Sequence, residues 1–111
     1  MDVIAEKRGT ALMIAPRGAL DSTTAPAFEQ GLYGHLDGGE SRLVLDLSAL
    51  EFISSAGLRA LLNVAKRCAA VKGRFVVCAL PVPLREIFEI SGLTTIFEMH
   101  PTVDDGLARC R

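Results

Sequence analysis

No charge of either sign predominates in this chain: 12 Lys and Arg stand against 13 Asp and Glu, a formal net charge of −1 over 111 residues. Nucleic acid requires a concentrated basic footprint, which this balance does not supply. The three cysteines, Cys68, Cys78 and Cys110, contain no CxxC pair, and only His35 and His100 could join them as ligands. That spacing argues against a structural or catalytic metal. Cys68 and Cys78 fall in apolar segments, where a free thiol behaves as a small hydrophobe, so reduced core cysteines are expected. No run approaches the ~18–20 apolar residues of a membrane span, and no basic stretch followed by an apolar one opens the chain. A cytoplasmic protein without membrane insertion is the expectation. The parts of common enzymes are missing too. Neither "KRGTAL" nor "PRGALD" is a Walker A or GxGxxG loop, no Gly-x-Ser-x-Gly turn occurs, and neither histidine stands in a catalytic context. The chain is expected not to be an enzyme, and no cofactor is implied.

What is present is the balance of an ordinary globular protein, half hydrophobic and 23% charged. A chain of this length can bury roughly 60–70% of its unfolded surface, so residues 1–111 read as one domain. Asp2 to Glu6 and Ala11 to Ala15, joined through Lys7-Arg8-Gly9, read as an antiparallel hairpin. Asp21, Ser22 or Thr23 can cap a helix in which Pro26 falls within the first turn and Ala25, Phe28, Leu32 and Leu36 follow at helical spacing to Gly38-Gly39. "RLVLDL", Arg42 to Leu47, has the continuous apolar character of a central strand covered on both faces. A bend over Ser48 to Phe52 leads to a second helix, starting at Ser54-Ser55-Ala56-Gly57. One face of it carries Leu58, Leu61, Leu62, Ala65, Cys68 and Ala69, and it ends by Gly73. "FVVCAL", Phe75 to Leu80, repeats the buried-strand pattern. Pro83 then opens a short helix with Leu84, Ile87 and Phe88, and Thr95 to Met99 reads as a last strand. Thr102 and Asp105 at capping-box spacing start a terminal helix with Arg109 and Arg111 in its last turn.

Helices between successive buried strands demand parallel pairing with right-handed crossovers. The expected fold is α/β, with a mixed, mostly parallel sheet of about five strands, about four helices and the order β-β-α-β-α-β-α-β-α.

In an open parallel sheet, ligands and partners meet the carboxyl ends of the strands, and residues 46–58 occupy such a junction. Local chemistry gives Ser54 as an N-cap, Ser55 as a first-turn residue and Gly57 as a point of close helix–sheet packing. The same small residues would let another surface approach, near N–H groups carrying about +0.5 charge from the helix dipole. Arg59, Lys66 and Arg67 have the ordinary reading of a solvated face, and His35 and His100 that of surface residues.

The stretch "DLSALEFISSAGLRALL", residues 46–62, resembles the signature of the STAS family, the anti-sigma factor antagonists: Asp-Leu-Ser, an aromatic-aliphatic pair, a serine-rich tetrad ending in Gly, then Leu. "GALDSTTAPAFE" at 18–29 resembles the family's Gly-x-Leu-Asp element, and "ISGLTTIFEMHPTVDDGLA" at 90–108 its terminal pattern, so the likeness covers nearly the whole chain. It implies a single STAS-like domain that docks a partner and is controlled by phosphorylation of Ser55, the serine two places before the glycine. Ser54 stands where the family often has aspartate, which makes it a second candidate acceptor. Asp21 and Asp46 match family aspartates. The implied docking set is Asp21, Ser22, Ser54, Ser55, Ala56, Gly57, Leu58 and Arg59, the last one turn beyond Ser55 and able to touch partner or phosphate. The implied partners are an anti-sigma factor that is a serine kinase of histidine-kinase-like ATPase fold, and a phosphatase. A second role is served by the same fold: a regulatory subunit of a lipid ABC transporter or chemosensory assembly that docks constitutively.

Overall fold

A computed structural model describes residues 1–111. The hairpin forms as expected, with β1 (Asp2–Arg8) antiparallel to β2 (Ala11–Leu20). Then follow α1 (Ala25–Asp37), β3 (Arg42–Asp46), β4 (Leu50–Ile53), α2 (Ser55–Ala70), β5 (Arg74–Cys78), α3 (Val82–Ile90), β6 (Glu98–His100) and α4 (Val103–Ala108). A 3₁₀ turn at Leu93–Thr95 precedes β6. The main sheet has the order β1-β2-β3-β5-β6, with every pairing after the first parallel. No helix is long and apolar enough to cross a membrane.

The apolar runs set this order. Val44, Leu45, Val76 and Val77 are wholly buried because their strands are covered on both sides. Leu43, Leu45, Phe75 and Val77 face the large core under α1, α2 and α3. On the opposite face Val44, Val76 and Cys78 meet Cys110 and the flank of α4. A Cβ on Gly106 would sit 2.3 Å from the Cys78 Sγ, so only glycine lets α4 lie directly on β5. All three thiols are free and buried. Burial pushes the Cys78 thiol up to about 12, which leaves it a packing group rather than a nucleophile.

Three expectations change. The sheet has six strands, because Leu50–Ile53, which begins inside the expected bend and runs one residue past it, forms β4 and pairs with Gly18–Leu20 of β2. The order is therefore β-β-α-β-β-α-β-α-β-α. Second, the last strand is Glu98–His100 rather than Thr95–Met99, since Leu93 is buried through the 3₁₀ turn instead. Third, the α2 core stripe is Gly57, Ala60, Leu61, Val64 and Cys68. Leu58, Leu62 and Ala65 lie at its margin, and Ala69 is exposed. The buried face is turned about one residue toward the N-terminus of the expected one and takes in Val64, because Gly57 and Ala60, which carry too little apolar surface to mark a face, fit where α2 presses close to the sheet.

Candidate functional site

β2 and β4 end side by side, and each runs into a helix. The backbone N–H of Ser54 donates to Leu20 O at 3.0 Å, tying the two strand ends together. From there Asp21 to Thr24 turn into α1, and Ser54 turns into α2.

In the first turn the Asp21 carboxylate accepts from the Thr23 hydroxyl at 2.7 Å, from Thr23 N at 2.9 Å and from Thr24 N at 3.3 Å. These bonds, led by that from the Thr23 hydroxyl, hold its carboxyl below the ordinary range. The Thr24 hydroxyl accepts from Asp21 N at 3.0 Å and donates to Ala19 O at 2.8 Å. The N-cap position of α1 is Thr24 and carries no side-chain cap. Asp21 therefore organises the turn ahead of the helix, with Thr23, rather than capping it, and neither Ser22 nor Thr23 occupies the N-cap position. Ser22 is exposed.

The second turn divides its two serines by role. Ser54 is extended, and its Oγ accepts from Gly57 N at 3.2 Å while its carbonyl accepts from Leu58 N at 2.9 Å. It is the N-cap expected from its type. Ser55, one residue on, is exposed on the first turn of α2, and its hydroxyl has no partner within the chain. Gly57 is buried: a Cβ there would lie 2.4 Å from Leu20 O and 2.8 Å from Ile53 Cγ1. The close approach expected of this glycine is thus to the fold's own backbone. Leu58 turns to the core margin.

Between the first turns of α1 and α2 opens a cleft of about 340 Å³. Ser22, Ser55, Ala56 and Arg59 line it, together with Glu29 and Asn63. Of the expected docking set, the structure brings those first four to one opening; Asp21, Ser54, Gly57 and Leu58 hold the walls from behind. Arg59 is exposed and makes no ion pair or hydrogen bond within the chain, leaving its guanidinium free. Glu29 and Asn63 are additions to the site: Glu29 Oε1 accepts from Asn63 Nδ2 at 2.8 Å and from the Tyr33 hydroxyl at 2.7 Å, joining α1 to α2. Burial, then Glu29, pushes the Tyr33 phenol above its usual range. The sequence did hold a signal, since Ser55, Arg59 and Asn63 repeat at a spacing of four on one helix face.

Away from the cleft, the Asp46 carboxylate accepts from Ser48 N at 3.0 Å and orders the turn after β3. His35 is half-buried beside β1. His100, expected at the surface, is half-buried instead, because its ring pairs with Glu98 at 2.8 Å.

A model of the STAS domain matches residues 2–106. BtrV of Bordetella bronchiseptica, a candidate anti-sigma factor antagonist, is 43% identical over 97 residues, covering 87% of this chain and 84% of BtrV. The anti-sigma-F factor antagonist RsfB of Mycobacterium tuberculosis is 30% identical over 108 residues, covering 97% of this chain and 87% of RsfB. A crystal structure of an anti-sigma factor antagonist from Mycobacterium paratuberculosis superposes with a TM-score of 0.89 at 32% identity, covering 99% of this chain and 93% of that one.

Proposed function

Because the chain belongs to the STAS domain family, we propose that it is an anti-sigma factor antagonist: unmodified, it docks an anti-sigma factor and so frees a sigma factor, and phosphorylation of Ser55 ends the docking. The relatives named above carry the first half of this reading. One observation carries the second: of two adjacent serines, Ser54 holds the fold together through Gly57 N, whereas Ser55 stands exposed at an open cleft with its hydroxyl uncommitted. A phosphoryl acceptor must offer its oxygen to an incoming group without dismantling the turn that presents it. Ser55 meets that requirement and Ser54 does not.

The physical mechanism follows from where the charge arrives. A phosphate adds about −1.5 to −2 charge at pH 7. On the free protein it is tolerated, since the α2 N-terminus favours an anion by ~0.3–1 kcal/mol at an exposed site. Pressed against a partner it must shed water beside an apolar or acidic surface, which costs binding. Arg59, free in the same cleft, is the contact that an unmodified interface uses and that a phosphate one turn away would divert. The partner is a serine kinase of histidine-kinase-like ATPase fold, and a phosphatase restores the unmodified form. This chain supplies the acceptor and no catalytic group.

The test is to incubate the chain with its cognate anti-sigma factor and ATP and to locate the phosphate by mass spectrometry. Phosphate on Ser55, absent from Ser55→Ala, is the expected result. Stoichiometric modification of Ser55→Ala would transfer the role to Ser54.

A further inference from the structure

β1 forms one edge of the sheet, and each of its seven residues is exposed. Met1, Val3 and Ile4 are three of the eight large apolar side chains that the fold leaves exposed. Residues paired across an antiparallel ladder share a face, so Val3 and Ala5, opposite Pro16 and Ile14, lie on the helix side. With Met1 they border an apolar groove of about 420 Å³ whose other wall includes Ala27, Gly31 and His35 of α1. Asp2, Ile4, Glu6 and Arg8 lie on the opposite face. A strand edge of this kind offers unpaired N–H and C=O groups to another strand.

The charges along β1 select the occupant. A second copy of the strand, added antiparallel about a twofold axis perpendicular to the sheet, keeps each residue on its own face. Centred on Ala5, this pairing uses all seven residues and sets Asp2 of each copy against Arg8 of the other, with Val3 against Lys7 and Ile4 against Glu6. Centred on Ile4, it would oppose Asp2 to Glu6; centred on Glu6, it would oppose Glu6 to itself. Like charges directly opposed destabilise a ladder, and unlike charges support it. The one register that pairs the whole strand is therefore also the one its charges favour. Asp2 makes no ion pair within the chain, whereas Arg8 is held by Glu6 at 3.3 Å, extended along the same face.

We propose that β1 is a homodimerisation edge, paired about Ala5 to give one continuous sheet with the two α1 helices on the same side. The lone methyl of Ala27 and the bare backbone of Gly31, with open space around it, leave room there for the apposed copy. The groove and the Ser55 cleft share no lining residue, so the dimer carries two open docking sites.

Sedimentation velocity over a concentration series tests this directly, and needs neither partner nor phosphate. The wild-type chain is expected to show a reversible monomer–dimer equilibrium. Asp2→Arg and Arg8→Asp each oppose like charges twice and should weaken dimerisation at least threefold, which is about 0.65 kcal/mol. Mixing the two variants restores both unlike pairs in a heterodimer, and should recover wild-type association. Monomer at every concentration, single variants that dimerise as wild type does, or a mixture that fails to recover would each overturn the proposal.

Discussion

Gly57 and Ser54 show how one turn serves structure and presentation together. Replacing Gly57 with alanine would gain about 1 kcal/mol of helix propensity. The new methyl, however, would fall 2.4 Å from a backbone oxygen that cannot rotate away. Overpacking of this kind costs ~1–3 kcal/mol, so the clash wins and Gly57→Ala should lower the urea midpoint. Ser54→Ala should destabilise by ~1 kcal/mol through the lost cap, and Ser55→Ala by less than ~0.5 kcal/mol because its hydroxyl bonds nothing. Ser55→Asp separates the switch from a structural effect. Its carboxylate should leave the melting temperature unchanged or raise it slightly, while partner affinity measured by titration calorimetry falls at least tenfold, about 1.4 kcal/mol. Affinity that survives intact in Ser55→Asp would remove the charge-switch mechanism. These roles were half legible in the residues: Ser at an N-cap can be read from type, but the division of labour between Ser54 and Ser55 depends on which hydroxyl faces Gly57 N.

Among the elements, β4 escaped sequence reading for a physical reason. Leu50 and Ile53 are buried while Glu51 and Phe52 are exposed, a pattern without the alternation that marks a strand. Its pairing with β2 steps from Gly18 opposite Leu50 to Ala19 opposite Phe52, so Glu51 is an extra, unpaired residue in β4 and breaks the alternation there. β2 consequently serves β3 with its first half and β4 with its second, and this split brings Leu20 beside Ser54. The α1 stripe was legible because Ala25, Phe28, Leu32 and Leu36 are all buried. At the other end of α2, the N–H of Gly73 reaches Cys68 O and that of Lys72 reaches Ala69 O, each at 2.9 Å, closing a Schellman motif. Lys72 holds its left-handed position at φ 57°, where glycine is at ease and lysine is strained. Lys72→Gly should therefore stabilise the protein by roughly 0.5–1 kcal/mol, part of the strain being returned as unfolded-chain entropy. A higher urea midpoint at constant slope is the outcome to look for; a lower one would mean that the lysine side chain makes up for its strain.

At the level of the whole molecule, periodicity and apolar runs were enough to reach an α/β fold with a parallel centre, since β3 and β5 can bury both faces only between layers of helix. Charge placement was not legible in the same way, because which charges meet depends on strand pairing and on where α4 packs, as with Arg74 and Arg109 around Glu98. Glu98 gathers Arg74, His100 and Arg109, at 3.4, 2.8 and 3.3 Å, and so fastens β6 to β5 and to the end of α4. Burial pushes the Glu98 carboxyl up, but hydrogen bonds from His100 and Arg109 and the charge of Arg74 outweigh it and hold the group below its ordinary 4.5. A carboxyl lowered in the folded state binds fewer protons there than in the unfolded chain. Its contribution to stability is present above about pH 4.5 and is lost as pH falls through the lower folded value. Asp21, lowered from 3.8 by its bonds to Thr23 and Thr24, acts in the same direction at more acid pH. The melting temperature should thus hold steady from neutral pH to about 5 and fall below about 4.5. Glu98→Gln should melt lower than wild type at pH 7 and lose part of that acid slope, as the amide cannot titrate. Parallel melting curves for the two proteins from pH 7 to pH 3 would show that Glu98 is not the group through which acid loosens the C-terminal layer.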